Sequence, residues 1–136
     1  MLRDRVDADL LKAPGSIEDE AGMEKSSLTA LVRQQLGLAK SASSGRSSRT
    51  VYGGHEHVLR QTLIALAAGQ VLEEHESPGE ATVHVLHGRV RLAAGTTTWE
   101  GSRGDLLIVP DARHALEALG DSAVLLTVAM SREGPA

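Results

Sequence analysis

The sequence predicts an all-β fold, a sandwich or barrel preceded by one short helix. Short stretches rich in valine, leucine, isoleucine and threonine follow one another from Thr50 onward, and turn residues separate them about every eight to twelve positions. No stretch of helical periodicity lies between them, which argues against a parallel sheet of alternating strands and helices. The predicted strands are 50–52, 57–67, 71–76, 82–86, 89–92, 97–100, 105–109, 114–119 and 123–130.

Composition limits the range of functions. The 136 residues suffice for one hydrophobic core, and the net charge of −4 without a concentrated basic cluster argues against nucleic acid as a partner. The absence of cysteine excludes disulfides, thiolate metal ligands and cysteine nucleophiles. No run approaches about 18 apolar residues, so we expect no membrane span, and we expect no secretory signal either. We therefore predict a cytoplasmic protein.

The part of the chain before the strands divides into a tail and a helical arm. Residues 1–22 are acidic and weakly patterned, so we predict a disordered tail, or an upstream extension because Met23 stands just before a well-formed domain start. A capping serine followed by leucine and valine at three- and four-residue spacing predicts a helix over 27–40. The predicted domains are 1–22 for the tail, 23–48 for the helix and a serine-rich linker, 49–131 for the barrel and 132–136 for a C-terminal tail.

Two of the predicted strands are apolar on both faces, at 62–67 and 124–129. A strand with one face in water alternates between apolar and polar residues, so both faces of these strands need a covering layer. A single small barrel does not easily supply the second layer. We therefore predict a homodimer that buries the outer face of one sheet, in which the N-terminal helix or first strand could cross over to the partner.

Two stretches of the chain carry a spaced set of glycine, proline and histidine residues. These residues are Gly69, His75, Gly88, Gly104, Pro110 and His114. They resemble the two motifs of the cupin superfamily, written G-x5-H-x-H-x3/4-E-x6-G and G-x5-P-x-G-x2-H-x3-N. The resemblance covers about residues 56–130. It implies a jelly-roll barrel, also called a double-stranded β-helix, and a dimer is common among small members of the family.

The chain departs from the family at its metal ligands, which usually are two histidines and a glutamate of the first motif and one histidine of the second. Ser77 stands at the second histidine position, Ala81 at the glutamate position, and Ala118 at the final asparagine. Two of the four usual ligands are therefore absent. We expect no metal cofactor, and a divalent ion, if any is held, would be bound by His75 and His114.

We predict a ligand pocket in the mouth of the barrel. Its candidate residues are His75, Ser77, Glu80, His114 and Gln61. The leading hypothesis is a cupin that binds a small molecule there without a standard metal site. The sequence does not identify that molecule, because the fold hosts isomerases, dioxygenases, storage proteins and ligand-sensing regulators.

Three alternatives stay open at this stage. The first is a metal-dependent enzyme of the isomerase or oxygenase type with a non-standard ligand set. The second is an epimerase-like enzyme in which Glu73 or Glu80 orients His75 as a general base, with Arg60 and Arg113 as the candidate anion-binding residues. The third is a dimeric ligand-sensing regulatory module that acts through its helical arm.

Other chemistry-bearing residues have simpler interpretations. His55 and His57 could clip a metal ion, but a surface or dimer-contact role at the edge of the barrel is favoured. Strand parity places His84 on the outer face of the barrel. Trp99 is predicted to pack in the core or in an interface.

Overall fold

The structure, a computed structural model, describes residues 17–18, 22–75 and 79–130, with side chains for 22–73 and 79–130. Within these ranges it consists of antiparallel strands and a single helix. The chain divides into two compact units, Met1–Leu31 and Val32–Ala136. No helix in the described ranges is long and apolar enough to cross a bilayer.

The first unit holds two very short strands and the start of the helix. β1 (Ile17–Glu18) pairs antiparallel with β2 (Glu24–Lys25), a pairing that the predicted tail did not include. α1 (Leu28–Ser41) begins after Ser27, whose Oγ accepts a hydrogen bond from the Ala30 N–H at 3.2 Å. That contact satisfies one of the otherwise unpaired donors of the first turn, so the capping serine is confirmed. Most of the predicted tail lies outside the described residues.

The second unit contains the strands of the barrel, which form two antiparallel sheets. These strands are β3 (Arg46–Tyr52), β4 (Leu59–Leu66), β5 (Val71–His75), β6 (Gly79–His87), β7 (Arg89–Ala94), β8 (Thr97–Ser102), β9 (Leu106–Ile108), β10 (His114–Ala118) and β11 (Ser122–Met130). The four-stranded sheet has the order β5–β10–β7–β8, and the five-stranded sheet has the order β3–β4–β11–β6–β9. The predicted all-β class with one short helix is confirmed.

β3 begins at Arg46, inside the segment that composition predicts to be a flexible linker. Ser47 pairs with Ala65 of β4, and the ladder continues to the end of the strand with one irregularity. A serine-rich stretch is flexible only where its backbone lacks a partner, and here β4 supplies the hydrogen bonds. The predicted strand start at Thr50 is therefore corrected to Arg46.

The core lies between the inward faces of the two sheets. Side chains at every second position of the central strands are buried there, as the period of a strand requires. The buried cluster consists of Leu66, Ala81, Val83, Val85, Val90, Leu92, Val109, Leu116, Ala118, Val124 and Val128. Membership of this cluster shows which face of each strand points inward.

The outer face of the five-stranded sheet carries a second buried layer. Leu63 and Ala65 flank Ile64, which packs against the core, so they point outward, yet both are fully buried. Gln35 of α1 is also buried, and its Oε1 accepts a hydrogen bond from the Ser47 hydroxyl on the same outer face. The helix of the same chain therefore covers this part of the sheet, where the sequence led us to expect a second chain.

The corner between β6 and β7 requires a glycine. Gly88 has a φ of 80°, and a Cβ atom at this position would lie 2.2 Å from the Asp121 carbonyl oxygen. Side chains avoid both that backbone conformation and that distance. The close approach lets the Ser122 hydroxyl accept a hydrogen bond from the Arg89 N–H at 3.1 Å, which joins the two sheets at this corner.

Candidate functional site

The two histidine-bearing stretches meet at one end of the barrel. β5 ends at His75, β10 begins at His114, and the two residues are backbone partners in the antiparallel ladder. On the five-stranded sheet the same end holds Gly79, since three residues separate it from His75. Gly79 in turn pairs with Met130 at the end of β11. We call this end the barrel mouth.

His114 is a buried histidine at the barrel mouth. It shares a strand face with Leu116 and Ala118 of the core, and only 5% of it is exposed. Its Nδ1 lies 2.9 Å from the Ala112 carbonyl oxygen. Because a carbonyl oxygen only accepts, Nδ1 carries the proton of that bond, and the bond fixes the orientation of the imidazole at the barrel mouth.

Two of the predicted pocket residues are located in part or not at all. The backbone of His75 is fixed by its pairing with His114, whereas its side chain lies outside the described part of the chain. Ser77 lies outside the described residues altogether. Glu73, one of the acids predicted to orient His75, is exposed. A pairing between that acid and the imidazole stays a prediction.

Glu80 and Gln61 lie on the outer face of the five-stranded sheet, which corrects the predicted pocket. Glu80 pairs with Ala129 and is exposed, while its neighbour Ala81 packs into the core. Gln61 pairs with Thr127, and its Nε2 donates a hydrogen bond to the Thr127 hydroxyl at 3.2 Å. Successive side chains of a strand point to opposite faces, so neither residue reaches the interior.

Ala81 occupies the position at which the family motif has a metal-binding glutamate. Its side chain faces the core and is buried, and a methyl group offers no lone pair to an ion. Among the side chains that the structure describes, no three of histidine, aspartate or glutamate lie close enough together to hold a metal ion. The described residues therefore do not fit the metal site that the fold family implies.

The five-stranded sheet contributes two further polar groups to the barrel mouth. Arg60 pairs with Val128 of the core, so its side chain starts from the inward face, and it is half-buried. Thr62 lies two residues further along the same face and is also half-buried. From the sequence, Arg60 was only a candidate anion-binding residue, and Thr62 was not a candidate at all. The pattern of β4 is apolar on both faces, so it does not indicate which of its side chains point inward.

An apolar cleft of about 530 Å³ lies along the gap between the edge strands β8 and β9. Its lining residues are Leu92, Ala94, Thr97, Trp99, Leu106, Leu107, Ile108 and Pro110. Trp99 is 68% exposed, so of the two predicted locations the core is wrong, and packing in an interface stays a prediction. β8 is an edge strand of the four-stranded sheet, so on one side of Trp99 no neighbouring strand shields the indole.

Three further histidines, His84, His57 and His55, face outward or are exposed, and the loop that holds His55 and His57 leads into Val58, whose carbonyl accepts a hydrogen bond from the Met130 N–H at 2.7 Å. His84 pairs with Leu125 and shares its outward face, which confirms the predicted location. His57 is exposed, and its ring lies 5.0 Å from the ring of Tyr52, centroid to centroid. His55 is exposed as well, in agreement with a surface position.

Comparison with known proteins places the chain in a family. No protein-family model matches the sequence, and no curated protein matches it either. A conserved protein of unknown function from Streptococcus pyogenes is similar at 28% identity and a TM-score of 0.60, over 67% of this chain and 79% of that one. An RmlC-like cupin from Desulfovibrio desulfuricans is similar at 26% identity and a TM-score of 0.55, over 62% of this chain and 81% of that one. The protein belongs to the cupin superfamily.

A third structure supports the same fold. A cupin superfamily protein from Desulfitobacterium hafniense has a TM-score of 0.58 at 20% identity, over 63% of this chain and 78% of that one. The resemblance carried by the two motifs is thereby confirmed. A cupin fold does not determine a function, so the function of this cupin has to be argued from its own residues.

Proposed function

We propose that this cupin binds a small organic molecule in the barrel mouth, without the usual four-ligand metal site. The observation that carries the proposal is that His114 and Arg60, which belong to opposite sheets, both start from inward faces at this end of the barrel. A few polar groups that converge on an otherwise apolar cavity are typical of small-molecule sites.

The walls between these polar groups are apolar. On the five-stranded sheet they consist of Ala81 and Val128, which are cross-strand partners, and of Val109, whose N–H donates to the Ala81 carbonyl at 3.0 Å. Met130 packs against the same cluster. Apolar walls release water when a ligand enters, and the few polar groups determine its orientation.

Binding is better supported than catalysis. The predicted general base was a histidine oriented by an acid, and Glu80, one of the two acids predicted for that role, faces outward. A metal-dependent reaction needs ligands that the described residues do not supply, because Ala81 stands at the carboxylate position. The proposal is therefore a cupin whose barrel receives a ligand without transforming it.

The test is to fill the barrel mouth with a side chain. Ala81→Leu replaces a methyl with an isobutyl group on the inward face of β6. The matched control Ala129→Leu makes the same replacement at an exposed residue on the outer face of the adjacent strand β11. A panel of small organic acids, amides, sugars and alcohols is screened against each full-length protein by saturation-transfer NMR. We expect compounds that bind the parent and the control but not Ala81→Leu.

Circular dichroism shows whether each variant is folded, since overpacking a core costs about 1–3 kcal/mol. Compounds that bind a folded Ala81→Leu protein as well as the parent would place the ligand outside the barrel mouth and refute the proposal. A parent protein that binds none of the panel would also count against it.

We further propose that the protein is a homodimer, with the uncovered part of the outer face as the interface. On that face Ile108 is 69% exposed and Leu106 is 59% exposed, and Leu59 and Tyr52 are exposed too. A groove of about 670 Å³ adjoins it, and residues of the outer face line it together with the inward-facing Ala81 and Val109; its lining is Gly79, Glu80, Ala81, Thr82, Ile108, Val109, Asp111, Thr127 and Ala129. The exposed apolar side chains lie toward the two edges of one face of the sheet, and such side chains on one face are typical of an interaction surface.

The outer face of the four-stranded sheet differs in character. Arg91 contacts Glu100 and Glu117 at 3.2 Å each, and Arg89 contacts Glu100 at 3.6 Å. These exposed ion pairs are typical of a face in contact with water. The contrast between the two sheets supports the five-stranded sheet as the one that meets a second chain.

A further inference from the structure

We infer that the ligand of the barrel mouth carries a carboxylate, which Arg60 binds, attached to an apolar body. This inference rests on the proposed function and names the chemical class of its ligand. It starts from the position of Arg60 in β4. Arg60 pairs with Val128, Val128 pairs with Ala81, and both of these partners belong to the buried core. Cross-strand partners share a face, so the side chain of Arg60 leaves the sheet on its inward side.

The guanidinium of Arg60 has no partner in the protein itself, as far as the described residues show. Other half-buried or edge arginines are paired: Arg91 contacts Glu100 and Glu117, and Arg46 Nη2 donates to the Val71 carbonyl at 3.0 Å. Arg60 makes no such contact within the described ranges, although it is half-buried. A partly desolvated guanidinium with five donors to satisfy is costly unless a ligand or water accepts its hydrogen bonds.

Hydroxyl groups lie on the same inward face beside Arg60. Thr62 lies two residues from Arg60 in β4, and Thr50 of β3 is the cross-strand partner of Thr62. Both side chains can donate a hydrogen bond to an anionic oxygen. Their positions form a short row of donors along the edge of the barrel mouth, with the apolar wall of Val128 and Ala81 next to it.

The charge of the barrel mouth favours a carboxylate over a phosphate. A guanidinium offers two parallel N–H groups that match two oxygens of either anion, so the number of positive charges decides between them. Arg60 supplies a single positive charge, and the buried histidine of the mouth, His114, already donates from Nδ1 to a backbone carbonyl. Arg113, the next arginine at this end, is exposed. The single positive charge of Arg60 matches the single negative charge of a monocarboxylate, and the apolar walls beside it match an apolar body.

The experiment uses butyrate, hexanoate and benzoate as probes, hexanamide and 1-hexanol as neutral counterparts, and inorganic phosphate as the competing anion class. Each is titrated into the full-length ¹⁵N-labelled parent protein and followed by chemical-shift changes. The variants are Arg60→Gln, Arg60→Lys and the control Arg103→Gln, which removes the same charge from an exposed turn at the opposite end of the barrel.

We expect the carboxylates to bind the parent more tightly than the neutral probes or phosphate do. Arg60→Gln should weaken carboxylate binding at least about tenfold, because it removes a charge-assisted pair of hydrogen bonds. Arg60→Lys should bind the carboxylates with an affinity between those of the parent and of Arg60→Gln. An ammonium keeps the positive charge but lacks the two parallel N–H groups of a guanidinium. Arg103→Gln should bind as the parent does.

Three results overturn the inference, and they differ in what they say of the proposed function. If hexanamide and hexanol bind as tightly as hexanoate, are blocked by Ala81→Leu and are insensitive to Arg60→Gln, the barrel mouth binds small molecules without a carboxylate requirement. If none of the probes shifts any resonance of the mouth, the inference and the proposed function fail together. Phosphate binding that depends on Arg60 while the carboxylates do not bind also overturns the assigned class.

Discussion

His75 and His114 are backbone partners in the antiparallel pairing of β5 and β10. They are 39 positions apart in the sequence (114 − 75), and each belongs to a different motif. Their pairing is what brings the two motifs to a single end of the barrel. The carboxylate ligand of the usual metal site is absent from that end, because Ala81 occupies the glutamate position and its methyl group faces the interior.

Metal content is the first prediction. Protein purified without a histidine tag should contain no stoichiometric zinc, iron, nickel or manganese by mass spectrometry, and His114→Ala should not change that content. The double variant Ser77→His with Ala81→Glu restores the ligand types that the family motif contains, and we expect it to gain zinc binding. A stoichiometric metal in the parent that disappears in both His75→Ala and His114→Ala would contradict the proposed metal-free mouth.

The motifs predicted the fold more reliably than the pocket. Glycine, proline and histidine at fixed spacing mark turns and strand ends, and these are set by local chain chemistry. Whether Glu80 and Gln61 face inward depends on the pairing of β6 and β4 with β11, which is a relation between distant segments. A shift of one residue in a strand moves every side chain to the other face, so spacing alone could not locate them.

Two other differences have the same origin. The outer face of Leu63 and Ala65 was assigned to a second chain, but Gln35 and its helix cover it, and no local pattern says onto which surface a helix folds. A lone strand tryptophan predicts packing in the core or in an interface, and Trp99 is exposed. The residue lies on an edge strand, and a sequence does not reveal which strand is at the edge.

The corner at Gly88 gives a stability prediction. Gly88→Ala places a Cβ against the Asp121 carbonyl oxygen in a left-handed backbone conformation, and it should lower the free energy of unfolding by at least about 2 kcal/mol. Gly95→Ala is the control, because its φ is 61° and a Cβ there would meet no atom within 4 Å. We expect a cost of about 1 kcal/mol for the control. Urea denaturation followed by circular dichroism measures both, and equal costs would show that the close approach is absent.

The covering layer formed by α1 gives a second stability prediction. Ala39 is fully buried, whereas Ala30 of the same helix is exposed. Ala39→Leu should destabilise the protein by about 1–3 kcal/mol through overpacking. Ala30→Leu makes the same chemical change in water and should stay within about 0.5 kcal/mol of the parent. Indistinguishable denaturation midpoints for the two variants would mean that the helix does not pack on the sheet through Ala39.

The proposed dimer gives the last prediction. Ile108 is exposed on the outer face of β9, next to Thr82 of β6. Ile108→Lys places a charge in an interface that needs about 800 Å² of each chain, and it should convert a dimer into a folded monomer. The melting temperature should fall as well, because dissociation removes the stabilisation that a bound partner gives to the native state. Leu38→Lys is the matched control, since Leu38 is an exposed leucine on the helix, away from that face. Size-exclusion chromatography with light scattering at micromolar concentration reports the mass of each protein. A parent with the mass of a monomer would refute the dimer, and a dimer that survives Ile108→Lys but not Leu38→Lys would move the interface from the sheet to the helix.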